Sequence, residues 1–384
     1  MKRGLFSDDH EAFRETVTKF VQREVAPNLE KWDEQRLIDR DLWHAAAAQG
    51  IIGLTAPAEF GGAGVGYDYR FRVVVLEELA KVYATSVSAA FSVQDDMIVP
   101  YVVSLGTSEQ QKRWLPKLVS GELVGAIAMT EPGTGSDLRG IRTSAVKVDG
   151  GWRVNGAKTF ISSGIQADII ITVVRTDPAG TGSFSLLVVE RDMPGFSRGR
   201  KLHKMGINGH DTAELFFEDV FVPDENLLGA EGGGFTQLMH HLPLERLSIA
   251  AAAIAASGPA IATTVDYVQG RTAFGQSVAD FQNTRFRLAD LVTEFEVTRA
   301  YVDKATLAYA AGELTAVEAA KAKLWSTEVQ GRIMDECVQL HGGYGFMTEY
   351  PITRAYQDAR AQRIYGGTSE IMRHIIGRDI VGRR

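Results

Sequence analysis

A single glutamate marks the start of the least charged stretch of this chain. Glu245 is followed by Arg246 and then by 19 residues without a formal charge, up to Asp266. A carboxylate buried beside so apolar a helix is costly unless it is paired, protonated or used in chemistry. Burial would raise its pKa, and a raised pKa suits a general base that works near neutral pH. Glu245 is therefore the first candidate for a catalytic residue.

Arg246 lies next to Glu245 on the predicted helix, and the two side chains should point in different directions. Neighbouring helical residues diverge by about 100° around the helix axis, whereas residues three or four apart share a face. A salt bridge between Glu245 and Arg246 is therefore not expected, and each side chain is free to contact a different part of a ligand. The alternative interpretation of this stretch is an ordinary solvated helix start.

Three further segments combine glycine with groups that could bind a ligand. The segment 128–138 offers the hydroxyls of Thr130 and Ser136 where its glycines let the backbone approach a ligand. The segments 339–345 and 363–371 each contain a Gly-Gly pair, flanked by polar side chains. Taken alone, each segment could also be a simple turn.

Composition and charge narrow the class of protein. The 384 residues suffice for two or three domains, and 45% hydrophobic with 23% charged residues is ordinary for a soluble globular protein. The net charge of −7 argues against sequence-independent nucleic-acid binding, which requires a basic face. The single cysteine, Cys337, excludes an intrachain disulfide and a cysteine-built metal site, and this usage fits a reducing, cytoplasmic location.

Two features that could indicate a membrane span or a metal site have simpler interpretations. The uncharged run 247–265 has the length of a membrane span, but it is mostly alanine, serine and threonine and contains Gly258-Pro259. We therefore expect a buried core helix and no integral membrane segment. None of the histidines shows the spacing of a metal-binding motif, so no metal site is expected.

The hydrophobic pattern changes twice along the chain. Helical periodicity dominates residues 1–122, β-type runs and turn residues dominate 123–232, and helical periodicity returns over 233–384. We therefore predict an α+β protein with an N-terminal helical domain, a middle antiparallel β domain and a C-terminal helical domain. Asp149-Gly150-Gly151 predicts a hairpin in the middle domain, and Pro116 is expected to stop a helix.

These segments, together with 271–275 after the uncharged helix, resemble the acyl-CoA dehydrogenase family from end to end. Four separated motifs in the family order, on a helical–β–helical layout, are far more specific than any one glycine loop. The long-chain and isovaleryl-CoA dehydrogenase branch is the most similar. The resemblance implies a C-terminal four-helix bundle, FAD as cofactor and an acyl-CoA substrate that is dehydrogenated to the trans-2-enoyl-CoA. It also implies a homotetramer and electron transfer flavoprotein as the electron acceptor.

The resemblance also implies roles for individual positions. Those matching the flavin-binding segments of the middle domain are Ile127, Ala128, Met129, Thr130, Gly135, Ser136, Phe160, Ile161 and Ser162. Those matching contacts to the FAD of a neighbouring subunit are Arg271, Phe274, Gln282, Gln339 and Gly343, and further cofactor contacts match Thr368 and Glu370. The matched acyl-CoA contacts are Ser136, Arg246, Gly366 and Gly367. Phe160 replaces a tryptophan of many members, which keeps a flat apolar surface but loses an indole N–H.

The position of the catalytic base separates branches of the family. Short- and medium-chain members carry a glutamate directly after the tyrosine of the last motif, where this chain has Gly366. The long-chain and isovaleryl-CoA branches carry it instead in the first helix of the third domain, at the position of Glu245. The resemblance therefore implies that Glu245 removes the α-proton while a hydride passes to flavin N5. The Gly366 backbone N–H would stabilise the thioester oxygen.

Two alternatives stay open at this point. An acyl-CoA oxidase would use the same residues and pass the electrons to oxygen. A catalytically silent acyl-CoA-binding paralogue would keep the fold, although the presence of Glu245 speaks against it. The glycine at 366 removes side-chain bulk near the acyl chain and so favours longer or branched substrates.

Overall fold

The computed structural model of the chain describes residues 3–177 and 183–382. Its first part is built from helices around an apolar core. These are α1 Asp8–Phe20, α2 Leu29–Gln35, α3 Arg40–Ala48, α4 Arg70–Lys81, α5 Thr85–Ser92, α6 Val99–Leu105 and α7 Ser108–Val119. Ser7 is the N-cap residue of α1, whose first turn is acidic, as helix starts prefer.

The middle part of the chain forms one sheet. Its strands are β1 Gly125–Ala128, β2 Ser144–Val148, β3 Gly151–Ser162, β4 Ile169–Arg175, β5 Phe184–Glu190, β6 Phe196–Lys201, β7 Thr212–Pro223 and β8 Leu227–Leu228. The order is β6-β7-β3-β2-β4-β5-β8, with β1 also paired to β4. The pairings are antiparallel, as predicted, except that β4 runs parallel to β1 and to the first residue of β2. Val148 pairs with Gly151, which confirms the predicted hairpin.

Alternate residues of β4 belong to cores on opposite faces of the sheet. Ile169, Ile171 and Val173 pack in the core that includes α6 and α7. Ile170 and Val174 pack in a second core with residues of β3 and β7. A strand that is buried on both faces is a continuous apolar run without polar alternation. The sheet is therefore fixed to the helical part along this strand.

The last part of the chain is a bundle of long helices. It contains α8 Gly234–Gly270, α9 Gln282–Ala310, α10 Ala316–His341, α11 Pro351–Ala359 and α12 Ser369–Val381. Strands β9 Thr272–Ala273 and β10 Gln276–Ser277 form a short hairpin between α8 and α9. By length and composition α8 could cross a membrane, but here it packs against α4, α9 and α10 as a core helix.

One helix end was predicted wrongly, and two short helices were not predicted. α7 continues through Pro116 to Val119, because the proline removes only one backbone hydrogen bond while Trp114, Leu115 and Leu118 keep the helix packed. The missed helices are α2, with seven residues, and α11, with nine residues and a proline in its first turn. So short a helix gives little periodic signal in the sequence.

A π-helical turn, Val93–Ile98, joins α5 to α6. Its side chains Gln94, Asp95 and Asp96 are all buried. Such wide turns are rare and occur frequently at functional sites. This one packs against α8, so two buried carboxylates lie beside the helix that carries Glu245.

Candidate active site

Glu245 lies in the first half of α8, and only 1% of its surface is exposed. Its Oε1 accepts a hydrogen bond of 3.1 Å from the hydroxyl of Tyr101 on α6. Burial raises the pKa of Glu245 to about 7, against the opposing effects of the Tyr101 hydroxyl and the Arg246 charge. The direction of the shift agrees with the sequence prediction. The carboxyl group can therefore accept a proton near neutral pH.

Arg246 is also buried, and its Nε has no hydrogen-bond partner within the described residues. Burial lowers the pKa of the guanidinium, and the charge of Glu245 acts in the opposite direction. A buried N–H group is costly unless something accepts its hydrogen bond. Arg246 is therefore available to a polar group of a ligand.

Gly366 and Gly367 form a turn that approaches the same part of α8. Both have positive φ angles, +65° and +96°, which favour glycine. A Cβ atom on Gly366 would lie 2.3 Å from Cδ1 of Ile249, which is one helical turn beyond Glu245. The Lys323 ammonium of α10 donates a 2.6 Å hydrogen bond to the Gly367 carbonyl. The backbone at 366 thus lies against α8 at a point where a side chain would require Ile249 to move.

The predicted flavin-binding segment 127–136 leaves the end of β1 as an irregular loop. The Glu131 carboxylate anchors it, because Oε1 accepts 2.9 Å bonds from the Lys158 ammonium and from the Thr143 N–H. Gly135 faces open space, since an added Cβ would meet no atom within 4 Å. A buried ion pair therefore supports a loop that leaves room for a ligand beside its backbone.

Phe160 lies at a bulge of β3 next to that loop. The register of β3 against β7 shifts between Lys158 and Ile161, and Phe160 has a φ angle of +57°. The Thr159 N–H donates a 2.9 Å bond to the Thr130 carbonyl, which joins the bulge to the loop. The Phe160 side chain is 69% exposed. This open aromatic face suits stacking on a flat ring such as isoalloxazine.

The other predicted residues of the middle part lie on the same two segments. Ile127 and Met129 pack against the core that contains Tyr101 and Leu238, which places the loop near the start of α8. Ala128 is the last residue of β1, Ile161 and Ser162 are the last two residues of β3, and Ser136 is exposed in the loop. The structure thus brings together the flavin-binding positions predicted in the middle part.

A pocket of about 460 Å³ lies at the other end of α8. Its lining includes three predicted cofactor contacts, Arg271, Gln339 and Gly343. The Arg271 guanidinium lies over the ring of Tyr344, 5.7 Å from its centroid. A cation and an amide beside an aromatic ring can hold the charged and ring portions of a nucleotide.

Phe274 and Gln282 lie on the outer side of that end. Phe274 and Gly275 form the tip of the β9–β10 hairpin, and both have positive φ angles, as a type I′ turn requires. The Phe274 ring is 97% exposed. Gln282 is the first residue of α9 and is also exposed. The ring of Phe274 at this hairpin tip is therefore free to contact another molecule.

Thr368 and Glu370 lie at the start of α12. The Thr368 hydroxyl caps the helix by accepting a bond of 3.4 Å from the Ile371 N–H. Glu370 is exposed in the first turn, where its own backbone N–H and the Thr368 side chain lower the pKa of its carboxyl group. A helix N-terminus offers free N–H groups to anions such as a diphosphate.

The predicted FAD contacts form two groups that one chain keeps apart. The middle-part group lies near the start of α8, whereas Arg271 lies 26 residues beyond Glu245. That separation is roughly 39 Å along a helix with a 1.5 Å rise. The first group offers a flat apolar face and an open loop, and the second offers a cation and an amide beside a pocket. Both fit FAD, but one chain does not present them to the same molecule.

Four residues of the site were not identified from the sequence. Tyr101 has no motif around it, and its partner Glu245 is far away in the chain. Glu131 and Lys158 belong to predicted segments, but nothing in the sequence shows that they pair. Lys323 lies two residues after Lys321, which is exposed, and nothing in the sequence distinguishes the buried lysine from the exposed one.

Three family models match this chain in order. The model described as acyl-CoA dehydrogenase, N-terminal domain, matches residues 7–122, the middle-domain model matches 126–220, and the C-terminal-domain model matches 232–381. The mitochondrial long-chain specific acyl-CoA dehydrogenase of Sus scrofa is 45% identical, over 99% of this chain and 88% of its own length. The mitochondrial isovaleryl-CoA dehydrogenase of Oryza sativa subsp. japonica is 38% identical, over 98% and 92%.

Solved structures have the same fold. An acyl-CoA dehydrogenase from Geobacillus kaustophilus is 45% identical with a TM-score of 0.96, over 99% of this chain and 100% of that chain. A glutaryl-CoA dehydrogenase from Mycobacterium smegmatis, solved in complex with FADH2, is 27% identical with a TM-score of 0.91, over 99% and 96%.

Fold and site thus define a flavin-dependent oxidoreductase that acts on CH–CH bonds. The chain belongs to the acyl-CoA dehydrogenase family, and its cofactor is FAD. The predicted family, three-part fold and cofactor are confirmed. The roles of individual residues and the domain boundaries stay predictions.

Proposed function

We propose that this chain dehydrogenates a long-chain or branched acyl-CoA to the trans-2-enoyl-CoA, with Glu245 as the catalytic base. The main support is the arrangement of Glu245 and Gly366. The carboxyl group is buried with a pKa of about 7, and the Gly366 backbone lies against α8 one turn further along. An added Cβ on Gly366 would lie 2.3 Å from Cδ1 of Ile249, so in this chain Ile249 occupies the space that a side chain at 366 would take.

Each residue of the site then has its own role in the reaction. Glu245 takes the α-proton, and the Gly366 N–H donates to the thioester oxygen as negative charge develops on it. Arg246 has a free N–H group for a polar part of the acyl-CoA. Segment 127–136 and Phe160 hold the flavin ring and exclude water from one side of the substrate. FAD, when bound, supplies the acceptor for the hydride that leaves the β-carbon.

The names of the relatives support the substrate class. The Sus scrofa protein is described as long-chain specific, and the Oryza sativa protein as an isovaleryl-CoA dehydrogenase, which acts on a branched acyl group. The absence of a side chain at Gly366 fits both, because it leaves more room next to the reacting carbons. Strict preference for short straight chains would contradict this part of the proposal.

The separation of the two FAD-contact groups supports a homotetramer. A neighbouring subunit could bring its Arg271 end to the flavin held by segment 127–136. We further propose electron transfer flavoprotein as the electron acceptor and a cytoplasmic location, which stay predictions. An oxidase would instead reoxidise its reduced flavin rapidly in air, so the rate of reoxidation by oxygen separates the two enzymes.

Anaerobic bleaching of the flavin by a panel of acyl-CoAs tests the base and the substrate together. Wild-type enzyme should bleach fastest with long or branched acyl-CoAs. Glu245→Gln should slow bleaching by about 10²–10⁴-fold, which is the usual contribution of a positioned base. Glu78→Gln removes another buried carboxylate, which pairs with Arg14, and serves as the matched control. Unchanged bleaching in Glu245→Gln would place the base elsewhere.

A further inference from the structure

Helix α8 and the α5–α6 segment are joined by a row of side-chain hydrogen bonds. His241, Glu245 and Ser248 share one face of α8, since they are spaced by four and three residues. Their partners are Ser104 at 2.8 Å, Tyr101 at 3.1 Å and Asp96 at 2.6 Å, respectively. The candidate base is therefore the middle member of a row in which each side chain has a fixed partner.

Tyr101 is the partner with the most restricted position. Its exposed fraction is 0%. Its ring stacks on the His241 ring with centroids 4.0 Å apart and planes inclined by 24°. Burial lowers the pKa of His241 to about 4, so this imidazole is neutral near pH 7 and stacks as an uncharged ring. Stacking on His241 thus fixes the ring of Tyr101, and the Tyr101 hydroxyl donates its hydrogen bond to Glu245.

We propose that Tyr101 is a positioning residue for the base: it holds Oε1 of Glu245 so that Oε2 faces the α-carbon of the acyl-CoA. This inference rests on the proposed role of Glu245. A carboxylate with one oxygen fixed by a rigid donor loses the rotation that would spread it over unproductive orientations. The phenol does not exchange its proton in this role; it donates a hydrogen bond before and after the α-proton moves to Glu245.

The charged surroundings of Glu245 give this role a measurable signature. The charged groups around Glu245 are Asp95 and Asp96 of the π-helical turn, Arg72 of α4, and Arg246, its neighbour on α8. The Tyr101 hydroxyl stabilises the ionised carboxylate and so lowers the pKa of Glu245 relative to burial alone. Since the base works only when ionised, removal of the hydroxyl should shift its activity to higher pH.

Tyr101→Phe tests the inference, because it keeps the ring on His241 and removes only the hydroxyl. We expect the acid limb of the flavin-reduction rate, measured by rapid mixing with saturating acyl-CoA from pH 6 to 9.5, to move up by about one pH unit. At pH 9.5, where Glu245 is ionised in both proteins, reduction should stay several-fold slower than wild type, because the carboxylate is no longer held in one orientation. At pH 6 the shifted acid limb should add roughly another tenfold. A wild-type rate at pH 9.5, or slowing without any movement of the acid limb, would overturn the inference.

Tyr83→Phe is the matched control. This tyrosine donates a 2.7 Å bond to Thr263 at the far half of α8, so its loss perturbs the same helix away from the base. We expect the wild-type pH profile. If Tyr101→Phe does not retain FAD, Ser104→Ala serves as the test variant instead. Ser104→Ala removes the hydrogen bond that fixes the His241 ring against Tyr101. It should move the acid limb in the same direction by a few tenths of a unit, and no movement would count against the inference.

The outcome with Glu245→Gln separates the two proposals. If that variant reduces its flavin normally, the assignment of the base fails, and the role of Tyr101 fails with it. If it is inactive while Tyr101→Phe keeps the wild-type pH profile, only the positioning role is wrong.

Discussion

At the Glu245 end of α8 the candidate base and its hydrogen-bond partner are enclosed by their own chain, whereas at the Arg271 end the candidate cofactor contacts are open to solvent. Glu245 and Tyr101 are 1% and 0% exposed, and each has a partner on another helix. Phe274 is 97% exposed at a hairpin tip, and Arg271 borders an open pocket. The difference shows that one chain alone positions the base and its hydrogen-bond partner, while the other end of α8 offers surface to something outside the chain.

This contrast gives different expectations for the two ends. A change at the enclosed end should alter the chemistry and the stability of the chain together, because the same atoms serve both. A change at the open end should alter cofactor retention and assembly, and leave the reaction on bound flavin intact. The following predictions test that separation.

Gly366→Ala should have the largest combined effect, because the reduction rate and the stability should both fall. The added Cβ meets Ile249 at 2.3 Å, and alanine is strained at a φ of +65°. Strain and overpacking each cost about 1–3 kcal/mol, and the displaced N–H no longer faces the thioester. We expect flavin reduction to fall by more than about 100-fold. Rapid-mixing kinetics and thermal unfolding measure the two effects.

Two further variants separate the collision from the backbone strain. Gly366→Ala combined with Ile249→Ala should recover part of the lost rate and stability, because the space is restored while the positive φ remains. Gly377→Ala on α12, where an added Cβ meets no atom within 4 Å, is the control. No loss in Gly366→Ala would show that the turn does not contact the substrate.

Glu245→Gln should make the protein more stable above neutral pH while it removes activity. The folded pKa of about 7 is above the ordinary value of 4.5, so the folded state binds the extra proton between these values. The stabilisation that this extra proton gives the wild-type protein is complete below about pH 4.5 and is lost as the pH rises through 7. At pH 8 the variant should therefore gain about 2–3 kcal/mol in free energy of unfolding. Chemical denaturation at pH 8 and pH 5 measures it, and an equal difference at both would contradict the pKa.

The sequence predicted the order of elements better than the contacts between them. The uncharged run after Arg246 and the hairpin at Asp149-Gly150 carry local signals, of charge and of turn chemistry, and both were found. The Tyr101–Glu245 bond joins residues 144 apart, and no local pattern encodes it. The collision between a side chain at Gly366 and Ile249 is likewise visible only after the fold is known.

Arg271→Gln should act only on the cofactor. The guanidinium can make charge-assisted hydrogen bonds that an amide cannot replace, and such bonds contribute about 1.5–3 kcal/mol. We expect FAD affinity to fall by about tenfold or more, while the reduction rate per bound flavin stays within about twofold of wild type. Flavin fluorescence on dilution measures the affinity. Arg332→Gln, which removes an exposed ion pair with Glu294, is the control, and slower reduction in Arg271→Gln would break the separation of the two ends.

Lys323→Met should have the smallest effect, because it removes a charge from the enclosed end but preserves its shape. The ammonium is 0% exposed, and burial lowers its pKa to about 8. The unfolded chain therefore binds more protons between about pH 8 and the ordinary value of 10.5, and wild-type stability should rise over that window relative to Lys323→Met. Loss of the bond to the Gly367 carbonyl should slow flavin reduction by only about threefold, since neighbouring packing still holds the turn. Unfolding at pH 7.5 and 10 tests the expected change in stability, and rapid mixing tests the expected change in reduction rate. If Lys323→Met slowed reduction as much as Gly366→Ala, the Lys323 charge, rather than the space around Gly366, would fix the turn beside the base.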